Sequence, residues 1–104
     1  MTDQWWLCDV EERNRQVPDT FHIPSKSTRE SLRAGDQAKL IFEIQPIKEL
    51  NNFRGERMWV AVTTVLPDGR YRGELSVTPS FIPISIGLPI EFGPENVLGV
   101  IRGA

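Results

Sequence analysis

The chain has 104 residues, 39% of them hydrophobic and 25% charged, which leaves room for one core and one domain spanning 1–104 and excludes a disordered chain. Twelve Lys and Arg against fourteen Asp and Glu give a formal net charge of −2 and a pI near 5.4. That balance lacks the basic excess on which non-specific nucleic-acid binding draws.

The start, from Met1 to Asp9, has neither a basic nor an apolar leader region, and no stretch approaches a membrane span. The expectation is a soluble, cytoplasmic protein. Gln4–Val10 is short and rich in aromatic and apolar groups, as a first strand would be. Trp5 and Trp6 are adjacent, so in a strand they point to opposite sides and only one enters a single-sided core. The charged run Glu11–Arg15 is expected as a solvated turn, and Pro18 to Pro24 as an extended piece. Ser25–Ala34 is the best helix candidate: Ser25 or Ser27 can cap it, Glu30 follows Ser27 by three, and Gly35 can close it.

From Gln37 the period becomes two. Ala38, Leu40, Phe42 and Ile44 share one face, Gln37, Lys39, Glu43 and Gln45 the other, and only Ile41 breaks the pattern. Pro46 ends this strand or places it at an edge, and Glu49–Gly55 reads as an exposed loop. Arg57–Leu66 and Tyr71–Val77 flank Pro67-Asp68-Gly69-Arg70, a hairpin signal. Pairing Leu66 with Tyr71 across a four-residue loop puts Met58, Val60, Val62, Tyr71, Gly73 and Leu75 on one side. A one-residue slip sets Val62 beside Glu74. This register sends Trp59 to the other side with Arg72 and Glu74, where it is either covered by the helix or first strand or left on the outside. Phe81–Ile86 alternates as an edge strand with Pro83, Leu88–Phe92 alternates again, Gly93–Val97 reads as a turn entering one helical turn, and Val100-Ile101 adds a final pairing. The fold expected is mainly β with one short helix (α+β), a small bent antiparallel sheet or partly open SH3-like barrel.

Little here carries chemistry. Nucleophilic catalysis needs a hydroxyl or thiol beside a base, and the single histidine, His22, lies in the proline-bounded segment with no spacing to link it to the single cysteine, Cys8. One cysteine also excludes an internal disulfide and a multi-thiolate zinc site. The acidic residues form no calcium loop and the glycines no phosphate cradle. No catalytic, cofactor or metal site is expected. Arg54, Arg57, Arg70 and Arg72 are interleaved with Glu56, Asp68 and Glu74, which reads as a salt-bridged surface or a weak anionic or RNA contact. Exposed aromatic area is where binding hot spots concentrate, so Trp5, Trp6 and Trp59, with Arg57 and Arg72, are the candidate partner-binding residues, against the reading that all three tryptophans are core.

Gly55-Glu56-Arg57-Met58-Trp59-Val60, then Gly69 to Leu75 and Phe92 to Val97, resemble a group of small bacterial proteins, the YegJ-like family. Leu75-Ser76-Val77-Thr78-Pro79 stands where that group has Leu-Asn-x-Pro, without the Asn. The resemblance implies a compact β-rich domain without enzymatic activity and, by analogy, an immunity or accessory role. The expected function is therefore a non-enzymatic protein-binding module with an unidentified protein partner, or a homodimer through a strand edge at Pro46 or Pro83. The alternatives are a small-ligand or single-stranded nucleic-acid binding barrel and an enzyme with an unrecognised carboxylate site.

Overall fold

In the computed structural model residues 5–47, 52–80 and 82–103 are described, with the side chains of 45–47 and 52–54 outside the description. Among the described residues six strands form one antiparallel sheet: β1 (Trp5–Leu7), β2 (Gln37–Ile47), β3 (Asn52–Val65), β4 (Tyr71–Leu75), β5 (Pro89–Phe92) and β6 (Gly99–Ile101). The path runs β1-β2-β3-β4-β5, and β6 shares the outer edge of β2 with β1. The sheet curls into a half-barrel, and the mainly β, α+β architecture expected from the sequence is the one observed. β1 covers Phe42 to Ile44 and β6 covers Gln37 to Lys39. Between them Cys8 N donates to the Ile41 carbonyl at 2.9 Å and Leu98 N to that of Lys39 at 2.8 Å, so the shared edge is paired almost continuously.

The alternation in β2 decides its faces. Ala38, Leu40 and Phe42 are buried inside the curl with Met58, Val60, Val62, Tyr71, Leu75, Ile90 and Phe92, and Trp5, Ile44 and Val100 pack against them. Ile41, the residue that breaks the alternation, lies on the other side. It is buried in a second cluster with Cys8, Val10 and Phe21, formed where the chain leaving β1 crosses that face.

Several local expectations are corrected. The charged run is helical: α1 (Val10–Gln16) begins on Asp9, whose carboxylate accepts from Glu12 N at 3.0 Å, with Glu11 and Glu12 in the first turn and Arg13 and Arg15 in the last, complementing the helix dipole. The expected helix over Ser25–Ala34 is one turn, α2 (Lys26–Arg29), because Ser25 caps it and Leu32 is drawn to the core, its N–H donating to the Tyr71 hydroxyl at 3.3 Å. Asn52–Gly55 belongs to β3 and not to a loop, while residues 48–51 lie outside the described residues, as does Gln4. β2 continues past Pro46 to Ile47 through an irregularity after Ile44. Residues 82–86 form no strand: the N–H groups of Ser80 and Ile82 donate to the Glu56 carboxylate at 2.5 and 3.4 Å, and Pro83 is therefore not in an edge strand. Phe81 lies outside the described residues.

The hairpin keeps its predicted faces by a different route. Val65 opposes Tyr71, with Leu66 N donating to the Arg70 carbonyl at 2.8 Å, so Leu66 joins the turn instead of pairing with Tyr71. A bulge between Val62 and Thr64 then shifts the register by one more residue, and Val62 meets Gly73 and Val60 meets Leu75. Two one-residue offsets restore the parity, so Met58, Val60 and Val62 point inward with Leu75. Gly73 is needed at that crossing: a Cβ there would stand 2.3 Å from the Ala61 carbonyl oxygen and 2.7 Å from Val60 Cγ1.

The open end is closed by polar groups. Arg29, 7% exposed, donates to the Pro24 carbonyl at 2.9 Å, to that of Pro94 at 3.2 Å and to the Glu11 carboxylate, joining α1, α2 and the 3-10 turn at Pro94–Asn96. Its own carbonyl accepts from the Tyr71 hydroxyl at 2.8 Å. Buried Asn96 donates to the Cys8 carbonyl at 3.0 Å and accepts from Gly93 N at 2.9 Å.

Candidate functional site

The inner face of the sheet is filled by the core, so what the strands present to solvent is their outer face. Opposed residues in antiparallel strands share a side, and the register places Trp6 and Glu43, Ile41 and Arg57, Gly99, Lys39 and Trp59, and Ile101, Gln37 and Ala61 in successive rows on that face. Glu74, Arg72 and Glu91 continue it across β4 and β5. Trp6 is 42% exposed and Ile101 54%. Arg57, Arg72, Glu74 and Glu91 are exposed, and Trp59 and Ala61 half-buried.

Four of the five predicted partner-binding residues therefore lie on one face: Trp6, Trp59, Arg57 and Arg72. Trp5 does not. It faces inward against the core, its ring 5.5 Å from that of Phe42 and tilted by 39°. The adjacent pair divides between the two sides as the pleat requires, and Trp59 lies half-buried on the outer side. Two neighbours flank the Trp59 ring: Lys39 Nζ sits 5.2 Å from the ring centroid, and a Cβ on Gly99 would lie 3.9 Å from Trp59 Cη2. Trp6 Nε1 donates to Glu43 at 2.7 Å, and Arg13 stands 3.9 Å from the other oxygen of the same carboxylate. Arg72 lies 3.7 Å from Glu91, which also meets Arg70 at 3.6 Å. Ser76 anchors the middle, its N–H donating to the Trp59 carbonyl and its hydroxyl lying 3.0 Å from Gln37 Oε1.

Lys39 and Ile101 are not among the predicted binding residues. Lys39 lies on the wet side of its strand as expected, but its position beside Trp59 depends on the β2–β3 register, which no short window of sequence carries.

Elsewhere, no buried side-chain polar atom among the described residues lacks a hydrogen-bond partner. Cys8 is buried; burial raises its thiol pKa, with the Glu43 carboxylate acting the same way and Arg13 opposing. A protonated, covered thiol is a poor nucleophile. Asp36, 4% exposed, has its pKa lowered, first by the Gly103 N–H and then by the Arg33 N–H and Arg102, against the cost of burial. A cleft of about 440 Å³ is lined by Glu30, Asp68, Gly69, Arg70, Pro94 and Glu95, and its Arg70 is tied to Glu95 at 3.0 Å, which raises the pKa of the guanidinium. Among the described residues no group of three or more His, Cys, Asp and Glu side chains could hold a metal ion, and no helix is long and apolar enough to cross a membrane.

Comparison with known proteins brings no match to any family model, curated protein or solved structure.

Proposed function

We propose that this protein is a non-enzymatic protein-binding module, of the accessory or immunity kind, that engages its partner through the outer face of the sheet. The observation that carries this reading is the placement of Trp6, Trp59, Arg57 and Arg72 on one face, on whose β3–β5 part Arg57, Arg72, Glu74 and Glu91 are exposed. Interfaces concentrate their energy in Trp and Arg anchors surrounded by weaker contacts. The covered Cys8 thiol and the ion-paired Arg70, Arg72 and Glu91 support binding over catalysis.

The test is capture from extracts of the source cells with the full chain, comparing wild type, Trp59→Ala and Trp6→Ala. Val17→Ala serves as control, because Val17 is exposed at the far end of α1. A stoichiometric protein retained by wild type and the control and lost from both tryptophan variants, all with unchanged thermal unfolding, is the expected result. Retention by all four proteins, or recovery of a nucleotide or metabolite instead of a protein, overturns the assignment.

A further inference from the structure

The outer face is not uniform in charge. On the described part of its β1–β3 half the one carboxylate is Glu43, which is occupied by Trp6 Nε1 and faced by Arg13. The two cations of the same region, Lys39 and Arg57, have no carboxylate within ion-pair distance among the described residues. Both adjoin Trp59: Lys39 lies across the strand pair and over the ring, and Arg57 is two residues along β3 on the same side. On the β4–β5 half, by contrast, Arg72 and Arg70 are matched to Glu91, and Glu74 adds a further negative charge. A chain with a net charge of −2 thus places beside the half-buried Trp59 two outer-face cations that have no ion-pair carboxylate among the described residues.

We infer that the Arg57–Trp59–Lys39 strip receives an acidic segment of a protein partner. An apolar side chain of that segment lies on the Trp59 ring beside Ala61, and its carboxylates meet Arg57 and Lys39. This rests on the protein-binding reading and adds the chemistry of the partner. Complementary charge flanking an aromatic anchor steers association and fixes the register of docking. A nucleic acid fits less well, because its affinity grows with the number of phosphates neutralised, and two cations next to Glu74 on a net-negative chain supply few.

Panning a random dodecapeptide display library against the immobilised full chain, and separately against a folded Lys39→Glu/Arg57→Glu double variant and Trp59→Ala, tests it. Wild type is expected to enrich peptides of net negative charge with an apolar or aromatic residue. Their affinity should fall roughly tenfold in the charge-reversed variant, on the scale of two exposed ion pairs, and several-fold between 50 and 300 mM salt. Reversal of the cations should turn the enriched charge positive. Peptides that are neutral or basic on wild type but lost with Trp59→Ala sink the acidic-partner inference and leave the binding face standing. Enrichment independent of Trp59, or none, sinks both. Tight binding of a 20-nucleotide oligo-dT, abolished by the same reversal, reassigns the cations to nucleic acid.

Discussion

Asp36 is the residue whose removal should do most damage for its size. Its carboxylate is almost wholly buried and accepts three hydrogen bonds: from Arg33 N at 2.8 Å, from Gly103 N at 2.8 Å and from Arg102 Nη1 at 3.0 Å. The first closes the turn before β2, and the other two hold the segment after β6 against it. Asp36→Asn keeps one acceptor for Gly103 but turns an NH₂ group toward two donors. Losing a buried charge-assisted bond and leaving the Arg33 N–H unpaired costs about 1–3 kcal/mol. The Arg102 pair, whose side chain is 46% exposed, adds about 0–1 kcal/mol. A loss of about 2–3 kcal/mol lowers Tm by roughly 10–20 °C in a domain of this size. Arg102→Ala should cost under about 1 kcal/mol, since it leaves both backbone donors satisfied.

The folded-state pKa of Asp36 is depressed, so its contribution is fully present above the unfolded value near 4 and is lost as pH falls through the lower folded value. Thermal unfolding followed by circular dichroism should therefore show a gap between wild type and Asp36→Asn that is constant from pH 5 to 7 and closes below about pH 4. A Tm change under about 3 °C, a gap independent of pH, or an Arg102→Ala loss equal to that of Asp36→Asn would refute the reasoning.

Gly73→Ala should destabilise by about 2–3 kcal/mol in denaturant titration, because the Ala61 carbonyl and Val60 Cγ1 stand inside contact distance of the new methyl; an unchanged midpoint would mean the two strands separate easily there. Asn96→Ala leaves the Gly93 N–H and the Cys8 carbonyl without their partner and should cost about 2–4 kcal/mol, with faster hydrogen exchange at Gly93 as the local readout. Cys8, buried and with its thiol pKa raised, should react with a disulfide reagent at pH 7 at least about a hundredfold slower than in denaturant. A rate matching the unfolded chain would show that the α1 cover opens freely.

The parts of this fold legible in the sequence are those where one local period decides the side of a residue. Ala38, Leu40 and Phe42 declared the inner face of β2, and the hairpin arms declared theirs. The opposite placement of Trp5 and Trp6, and the shared side of Arg57 and Trp59, follow from the same pleat. The bulge after Val62 left no mark, because Thr63 and Thr64 are chemically alike and its effect is to cancel a second offset at the turn. α1 was missed because Val10 is its one buried residue. Periodicity is silent there, and the signal was the cap, Asp9 three residues before Glu12, with Pro18 just past the end. The alternation of Ile82, Ile84 and Ile86 is present, yet the backbone beside it is held by the Glu56 carboxylate and not by a strand, a competition that only tertiary structure exposes.

The candidate face shows the same division. Which residues share a side of β3 is local information, but what sits across from them is not. Met58, Val60 and Val62 point into the core while Arg57, Trp59 and Ala61 alternate with them on the outside. One strand therefore carries the core on one set of side chains and, on the proposed reading, recognition on the other. The inner set fixes the spacing of the outer set, since β2 and β4 are registered against β3 by packing that Trp59 does not join. Lys39 reaches the tryptophan only because Leu40 opposite Met58 and Ala38 opposite Val60 set that register. On the proposed reading, a change in the outer set retunes what is bound without disturbing the fold, whereas loss of an inner side chain disturbs both. That asymmetry supports the proposal that the half-buried Trp59, beside two cations with no carboxylate within ion-pair distance among the described residues, serves a partner more than the stability of the sheet.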